Sequence, residues 1–197
     1  MIYLTHPDYQ NYKSIVMDHK LVRKALGNET MFHFSRTPHR YLENWQAFEI
    51  GFASLVSSKK MSMPDLISRN GRLFLNAKAY NATHESLKKC GEFLPVIYDG
   101  KDGYLFNILT LAEEAGALDA CLSTKNEFDE VQSIAFDEKK LNGINIFRCE
   151  FDGYMGIYCS NELKQVIETA DLKGLTFSAD LGNQFPKDEK AQTPENH

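Results

Sequence analysis

The chain predicts an α+β fold: a mixed, largely antiparallel sheet with two or three packed helices. Three observations predict it. A strand–helix–strand pattern occurs twice, from Gly71 to Asp99 and from Tyr154 to Asp180. In each copy an apolar run meets a capping residue (Asn76, Ser160), a helical segment follows, and a glycine (Gly91, Gly174) precedes a second apolar run. Further strand-like runs carry short turns between them, with hairpins expected at Asp99–Gly103 and Asp152-Gly153. Thirteen Phe and nine Tyr supply core material suited to strands.

In chain order, an apolar IYL run ends at a turn-prone His6-Pro7-Asp8. Residues 17–27 read as a short helix with Leu21, Val22 and Ala25 on one side and Gly27 as its stop. Residues 31–34 read as a strand that Pro38 prevents from continuing. Residues 41–56 fit helix or strand, with Trp45 as a core anchor. Residues 63–71 are turn-rich, and RLFLN follows as a strand. The helix from Ala77 carries Tyr80, Thr83, His84 and Leu87 at helical spacing. Asn76 caps its start, and Gly91 suits a left-handed position after its last turn.

Pro95 places the return strand, EFLPVIY, at an edge or a bulge, and YLFNILTL follows it. Residues 112–131 begin helical in composition and become loop-like. Residues 132–137, 144–151 and 155–160 are strands, and Leu163, Val166, Ile167 and Ala170 mark the second repeat's helix. Helices this short are unstable alone, so each must lay its apolar stripe on a sheet.

The length of 197 residues fits one medium domain, or one with an added subdomain, and needs no disulfide staple. No run of 18 apolar residues exists, and no secretory signal opens the chain, so a cytoplasmic protein that does not engage a membrane is expected. The four cysteines form no CxxC pair, which predicts structural free thiols. Charge is uneven. Residues 1–98 are net +5, residues 99–138 net −8 and residues 139–197 net −2. The acidic stretch fits a solvated surface or a docking patch for a cationic partner. Nucleic-acid binding is disfavoured, because no basic stripe interleaved with aromatics exists.

The sequence predicts no catalytic, cofactor-binding or metal-binding residues. Six histidines lack ligand spacing, and HExxH is absent. His84 and Cys90 lie six positions apart on one helix region and point to different sides. Neither GxSxG nor a phosphate-cradling glycine loop occurs. Adjacent acids at Glu113-Glu114 and Asp129-Glu130 fit solvated segments.

Residues 64 to 180 resemble the eleventh-numbered immunity-protein family of bacterial polymorphic toxin systems, earlier catalogued as a domain of unknown function. The blocks that carry the resemblance are PDLISRNGRLFLNAKAY, GEFLPVIY followed by DGYLFNIL, QSIAFDEKKLNGINIFRCE, and GIYCSNELKQVIETADLKGLTF. Their order and spacing match better than any single block, and about 60% of the chain is covered. The resemblance implies a protein that binds a cognate secreted or contact-delivered toxin, with no reaction and no cofactor. With it the chain divides into an N-terminal α/β subdomain or extension (1–60) and an immunity-like α+β domain (61–181); the polar, Pro-containing segment that follows, nearly free of large apolar groups, reads as a disordered tail (182–197). With a basic toxin domain as partner, the acidic stretch would steer association, and Asp119, Glu127, Asp129 and Glu130 are the candidate partner-binding residues. A small enzyme with a dispersed site and a regulatory interaction module outside toxin systems remain as other classes. A homodimer would need an open edge on a repeat strand.

Overall fold

Fifteen regular elements build the molecule, counted among the residues the structure, a computed structural model, describes: 1–26, 34–55 and 60–183. In order they are β1 (Ile2–Pro7), β2 (Ser14–Val16), α1 (His19–Leu26), β3 (Gly51–Ala53), β4 (Leu66–Arg69), β5 (Arg72–Leu75), α2 (Ala77–Leu87), β6 (Gly91–Tyr98), β7 (Lys101–Ile108), β8 (Thr124–Lys125), β9 (Val131–Ser133), β10 (Ile146–Phe147), β11 (Tyr158–Ser160), α3 (Asn161–Thr169) and β12 (Leu175–Ser178). The fold is α+β with antiparallel ladders throughout the named strands. The parallel component of the expected mixed sheet is confined to isolated bridges, Tyr12 with Ser62, Glu49 with Ile97 and Leu111 with Arg148. The Gly27 stop, the start of the expected strand at 31–34 and residues 184–197 of the expected tail lie outside the described residues.

Each repeat is a split strand–helix–strand unit. The middle sheet runs β4-β5-β7-β6, so β7 lies antiparallel between β5 and β6. The terminal sheet runs β10-β11-β1-β12, so β1 lies antiparallel between β11 and β12. The strands of each repeat are therefore parallel to each other but not bonded. The expected boundary at residue 60 does not follow this packing, because β1 is a central strand of the C-terminal sheet.

Alternation along the strands sorts side chains into three cores. Leu73 and Leu75 join Ala79 and Leu87 of α2 and Leu163 and Ile167 of α3 in the core between helices and sheets. Phe74, between them, faces the opposite side with Ile15, Val22, Ala25 and Phe48. Ile2 and Leu4 pack with Ala112, Ala117, Ile134, Phe147 and Tyr158 beneath the terminal sheet. Both faces of β5 and of β1 are thus covered, which explains apolar runs without polar alternation.

Local chemistry explains the ends. Asn76 accepts the Ala79 N–H at 2.9 Å, and Ser160 accepts the Leu163 N–H at 3.2 Å, as the capping pattern predicts. Asp18 caps α1 by accepting the Lys20 N–H at 2.7 Å. The β6–β7 hairpin closes through Asp99 and Gly100, both with positive φ (46° and 70°), the two-residue geometry that matches strand twist.

Several expectations are corrected. Gly91 has no left-handed φ; it is needed because a Cβ there would stand 2.1 Å from the Asn107 carbonyl oxygen of β7. After α3 the left-handed residue is Asp171, with φ 49°. Residues 63–71 are not turn throughout, since Leu66–Arg69 form β4 and Asn70-Gly71 is its hairpin turn into β5. Asp152-Gly153 joins no adjacent strand ends, because the chain from β10 to β11 runs through ten residues, 148–157. The segment after Leu111 forms turns rather than a helix, held where Glu113 accepts the N–H groups of Glu150 and Phe151, each at 2.9 Å. Leu21 is exposed while Val22 and Ala25 are buried. Trp45 is half-buried: it donates to the Pro95 carbonyl at 2.7 Å beside β6, whose outer edge also bonds to Phe48 and Ile50.

Candidate functional site

The acids of the stretch divide by what their carboxylates bond to. Glu113 spends one carboxylate oxygen on two backbone N–H groups and the Cys149 thiol, which donates at 2.9 Å. Burial alone would raise the Glu113 carboxyl, but these hydrogen bonds outweigh it and hold the group below the usual carboxylate range. Asp137 caps a short 3-10 turn by accepting the Lys139 N–H at 3.1 Å. Asp119, one of the four candidates, is half-buried and accepts the N–H groups of Cys121 (2.9 Å) and Leu122 (3.1 Å). It shapes the backbone at this turn.

The other three candidates, Glu127, Asp129 and Glu130, come together at the tip of the β8–β9 hairpin. Asn126 organises the tip. Its Oδ1 accepts the Phe128 and Glu130 N–H groups, both at 2.9 Å, and its Nδ2 donates to Glu130 Oε2 at 2.8 Å. Asp129 takes a left-handed φ of 63°, and its carboxylate meets Lys125 Nζ at 2.9 Å. Lys125 also lies over the Phe151 ring at 5.1 Å, so it is anchored to the body of the protein. Val131 packs partly against the core beneath the terminal sheet and roots the ribbon.

This scaffold leaves Phe128 outward and 75% exposed, and Leu122 just before the hairpin is 62% exposed. An aromatic ring held in water by a built turn is the informative feature, because burying such a ring on a partner releases it from solvent. Sequence reasoning missed both residues. The available signal was a lone aromatic within the polar run Asn126–Glu130.

Elsewhere the titratable groups serve the fold. Arg72 is buried, donates to the Asn70 and Ser35 carbonyls at 2.8 and 3.1 Å and stacks 4.0 Å from the Phe34 ring centroid; burial pulls its guanidinium down to about 10. Glu92 accepts the Tyr41 N–H at 2.7 Å and an Asn107 N–H at 2.8 Å. His84 stacks on Phe93 at 5.1 Å and packs on Tyr80 at 5.0 Å, at the margin of the core. The cysteines are free; Cys121 is exposed, and burial pushes the Cys159 thiol up to about 12 and the Cys149 thiol higher still, so neither buried sulfur is a nucleophile at neutral pH. Among the described residues no three His, Cys, Asp or Glu side chains gather as a metal ion requires, and no helix is long and apolar enough to cross a membrane.

No protein-family model matches the chain, and no curated protein matches it.

Proposed function

We propose that this protein is a cytoplasmic immunity protein, which binds and neutralises a cognate secreted or contact-delivered bacterial toxin by forming a stoichiometric complex. The observation that carries the reading is the hairpin tip: Phe128 stands exposed among Glu127, Asp129 and Glu130. The acids draw in a basic toxin domain, and the ring and Leu122 supply the apolar contact that keeps it bound. The block resemblance of residues 64 to 180 supplies the toxin as partner, and contact alone performs the task, without a reaction or cofactor.

Co-expression with the toxin gene expected immediately upstream tests the reading through restored growth. Neutralising the tip together (Glu127→Gln, Asp129→Asn, Glu130→Gln) is expected to slow association about tenfold at low salt and flatten its salt dependence. Phe128→Ala is expected to speed dissociation, weakening the complex about thirtyfold, the scale of an interface hot spot. Failure of the chain to protect against its neighbouring toxin overturns the immunity reading. Full protection and unchanged rates in both variants remove the hairpin from the interface.

A further inference from the structure

A second feature lies at the seam between the two large sheets, away from the hairpin residues. A cavity of about 160 Å³ is lined by β1 and Tyr9 on one side, by the β4–β5 turn on the other, and by residues 155–157. Its floor is buried at His6, Ser68 and Gly156, and its rim is exposed at Asn70 and Met155. His6 is 5% exposed, and its Nε2 has no hydrogen-bond partner.

The charge of the lining is one-sided. Arg69 is its one charged lining residue among the described residues, with Nη1 donating to the Ile15 carbonyl and the Ser14 hydroxyl, and no described carboxylate lines the cavity. Behind Gly71 lies a second guanidinium: a Cβ on Gly71 would stand 2.6 Å from Arg148 Cζ. Arg148 is 1% exposed; its Nη2 donates to the Arg36 and Tyr154 carbonyls at 2.5 and 2.8 Å, and its Nε and Nη1 have no partner. Asp152, behind Gly156, is occupied by the Tyr158 hydroxyl at 2.7 Å and by the Gly156 and Met155 N–H groups, and Asp8, between the lining residues Pro7 and Tyr9, by the Asn11 amide and backbone N–H.

We propose that this cavity binds a small oxyanion of the phosphate type, either free phosphate or the phosphate group of a larger ligand, held by Arg69 and His6. A guanidinium and an imidazole at a water-poor floor suit a compact anion with several acceptor oxygens. A cavity of about 160 Å³ exceeds the roughly 10–15 Å³ that one water needs, so it has room for the anion.

The test uses the full chain. Inorganic phosphate and, separately, O-phosphoserine are titrated by calorimetry and by NMR of the His6 ring, with sodium chloride and acetate as matched controls. Saturable binding is expected, with a His6 ring shift that chloride and acetate do not reproduce. A tighter response to inorganic phosphate assigns free phosphate, and a tighter response to phosphoserine assigns an esterified ligand. Arg69→Gln is expected to weaken binding at least tenfold. Because Arg69 also holds Ile15, Met155→Trp serves as a second variant that narrows the exposed mouth, with a thermal melt confirming that each is folded. Absent saturation, an equal response to acetate, or wild-type binding by folded Met155→Trp and Arg69→Gln overturns the proposal. Toxin protection does not enter this readout, so the two proposals fail separately.

Discussion

The two split repeats share one local grammar and differ in where their third strand originates. In the first, β7 fills the gap between β5 and β6 and follows β6 through the two-residue turn at Asp99 and Gly100. In the second, β1 fills the gap between β11 and β12 from the far end of the chain; Thr5 Oγ1 donates to the Ile157 carbonyl across 152 positions. A strand, a capping residue and a short helix define a unit with a vacancy one strand wide. Any antiparallel strand apolar on both faces closes it, whatever its sequence distance. Distance sets the order of events, because closing a long loop costs entropy before the contacts form.

The largest expected effect comes from matched deletions in the two inserted strands. Leu105 of β7 and Leu4 of β1 are each 1% exposed. Leu105→Ala and Leu4→Ala are each expected to cost about 2–5 kcal/mol in urea unfolding. The rates should divide them. If the local β6–β7 hairpin forms before β1 docks, Leu105→Ala slows folding and Leu4→Ala mainly speeds unfolding. If Leu4→Ala slows folding as much as Leu105→Ala does, the two units assemble together and the contrast in timing is lost.

A second pair probes how closely each unit's backbone is packed. A Cβ on Gly91 would meet the Asn107 carbonyl oxygen at 2.1 Å, and one on Gly174 would meet the Leu66 carbonyl oxygen at 2.0 Å. In each case a strand must move, for an expected loss of about 1–3 kcal/mol. Gly174→Ala should lose more, because its φ of 123° strains any side chain as well. Amide exchange locates the damage: Gly91→Ala should expose β6 and β7, and Gly174→Ala the contact of β4 with the start of β12. Equal exposure of both sheets by either variant would show one cooperative body instead of two joined units.

What the sequence discloses follows the range of the interaction. Asn76, Ser160 and the apolar stripes of α2 and α3 were readable because caps and helical spacing act within a few residues. The role of β1 was hidden, since Ile2 and Leu4 look like any apolar run until β11 and β12 are beside them. For the same reason residues 1–60 read as an extension. At the candidate site, the concentration of acids was visible, but their division was not. Asp119 differs from Glu127 only in having backbone N–H groups within reach, which depends on the path of the chain. Phe128 was passed over because an aromatic residue usually signals core, and here Asn126 holds it outside.

The smallest effects come from the caps, and they sharpen the comparison most finely. Ser160 accepts the Leu163 N–H and donates to Asn145 Oδ1 at 2.9 Å. Asn76 caps α2 but also donates to Asp65 Oδ1 at 2.8 Å, while Asp65 Oδ2 accepts the Lys173 N–H of the second unit at 3.0 Å. Each cap therefore reaches the other unit through one relay, Asn76 through the charged Asp65 to the Lys173 N–H and Ser160 through the neutral Asn145, whose Nδ2 donates to the Ser86 carbonyl of α2 at 3.1 Å. Ser160→Ala is expected to cost about 1 kcal/mol, the ordinary loss of a cap. Asn76→Ala should cost about as much again for the broken link through Asp65, a hydrogen bond to a charged acceptor. Asn76→Ser separates the two contributions, since a hydroxyl keeps the cap acceptor and is too short to keep the bond to Asp65. Urea midpoints for the three variants are the measurement. Full recovery in Asn76→Ser would mean that Asp65 adds nothing through Asn76, leaving the Asp65 and Leu66 N–H bonds to the Lys173 carbonyl (2.8 and 3.1 Å), the Lys78 bond to the Asp171 carbonyl and the packing of α2 on α3 to hold the two units together at this point.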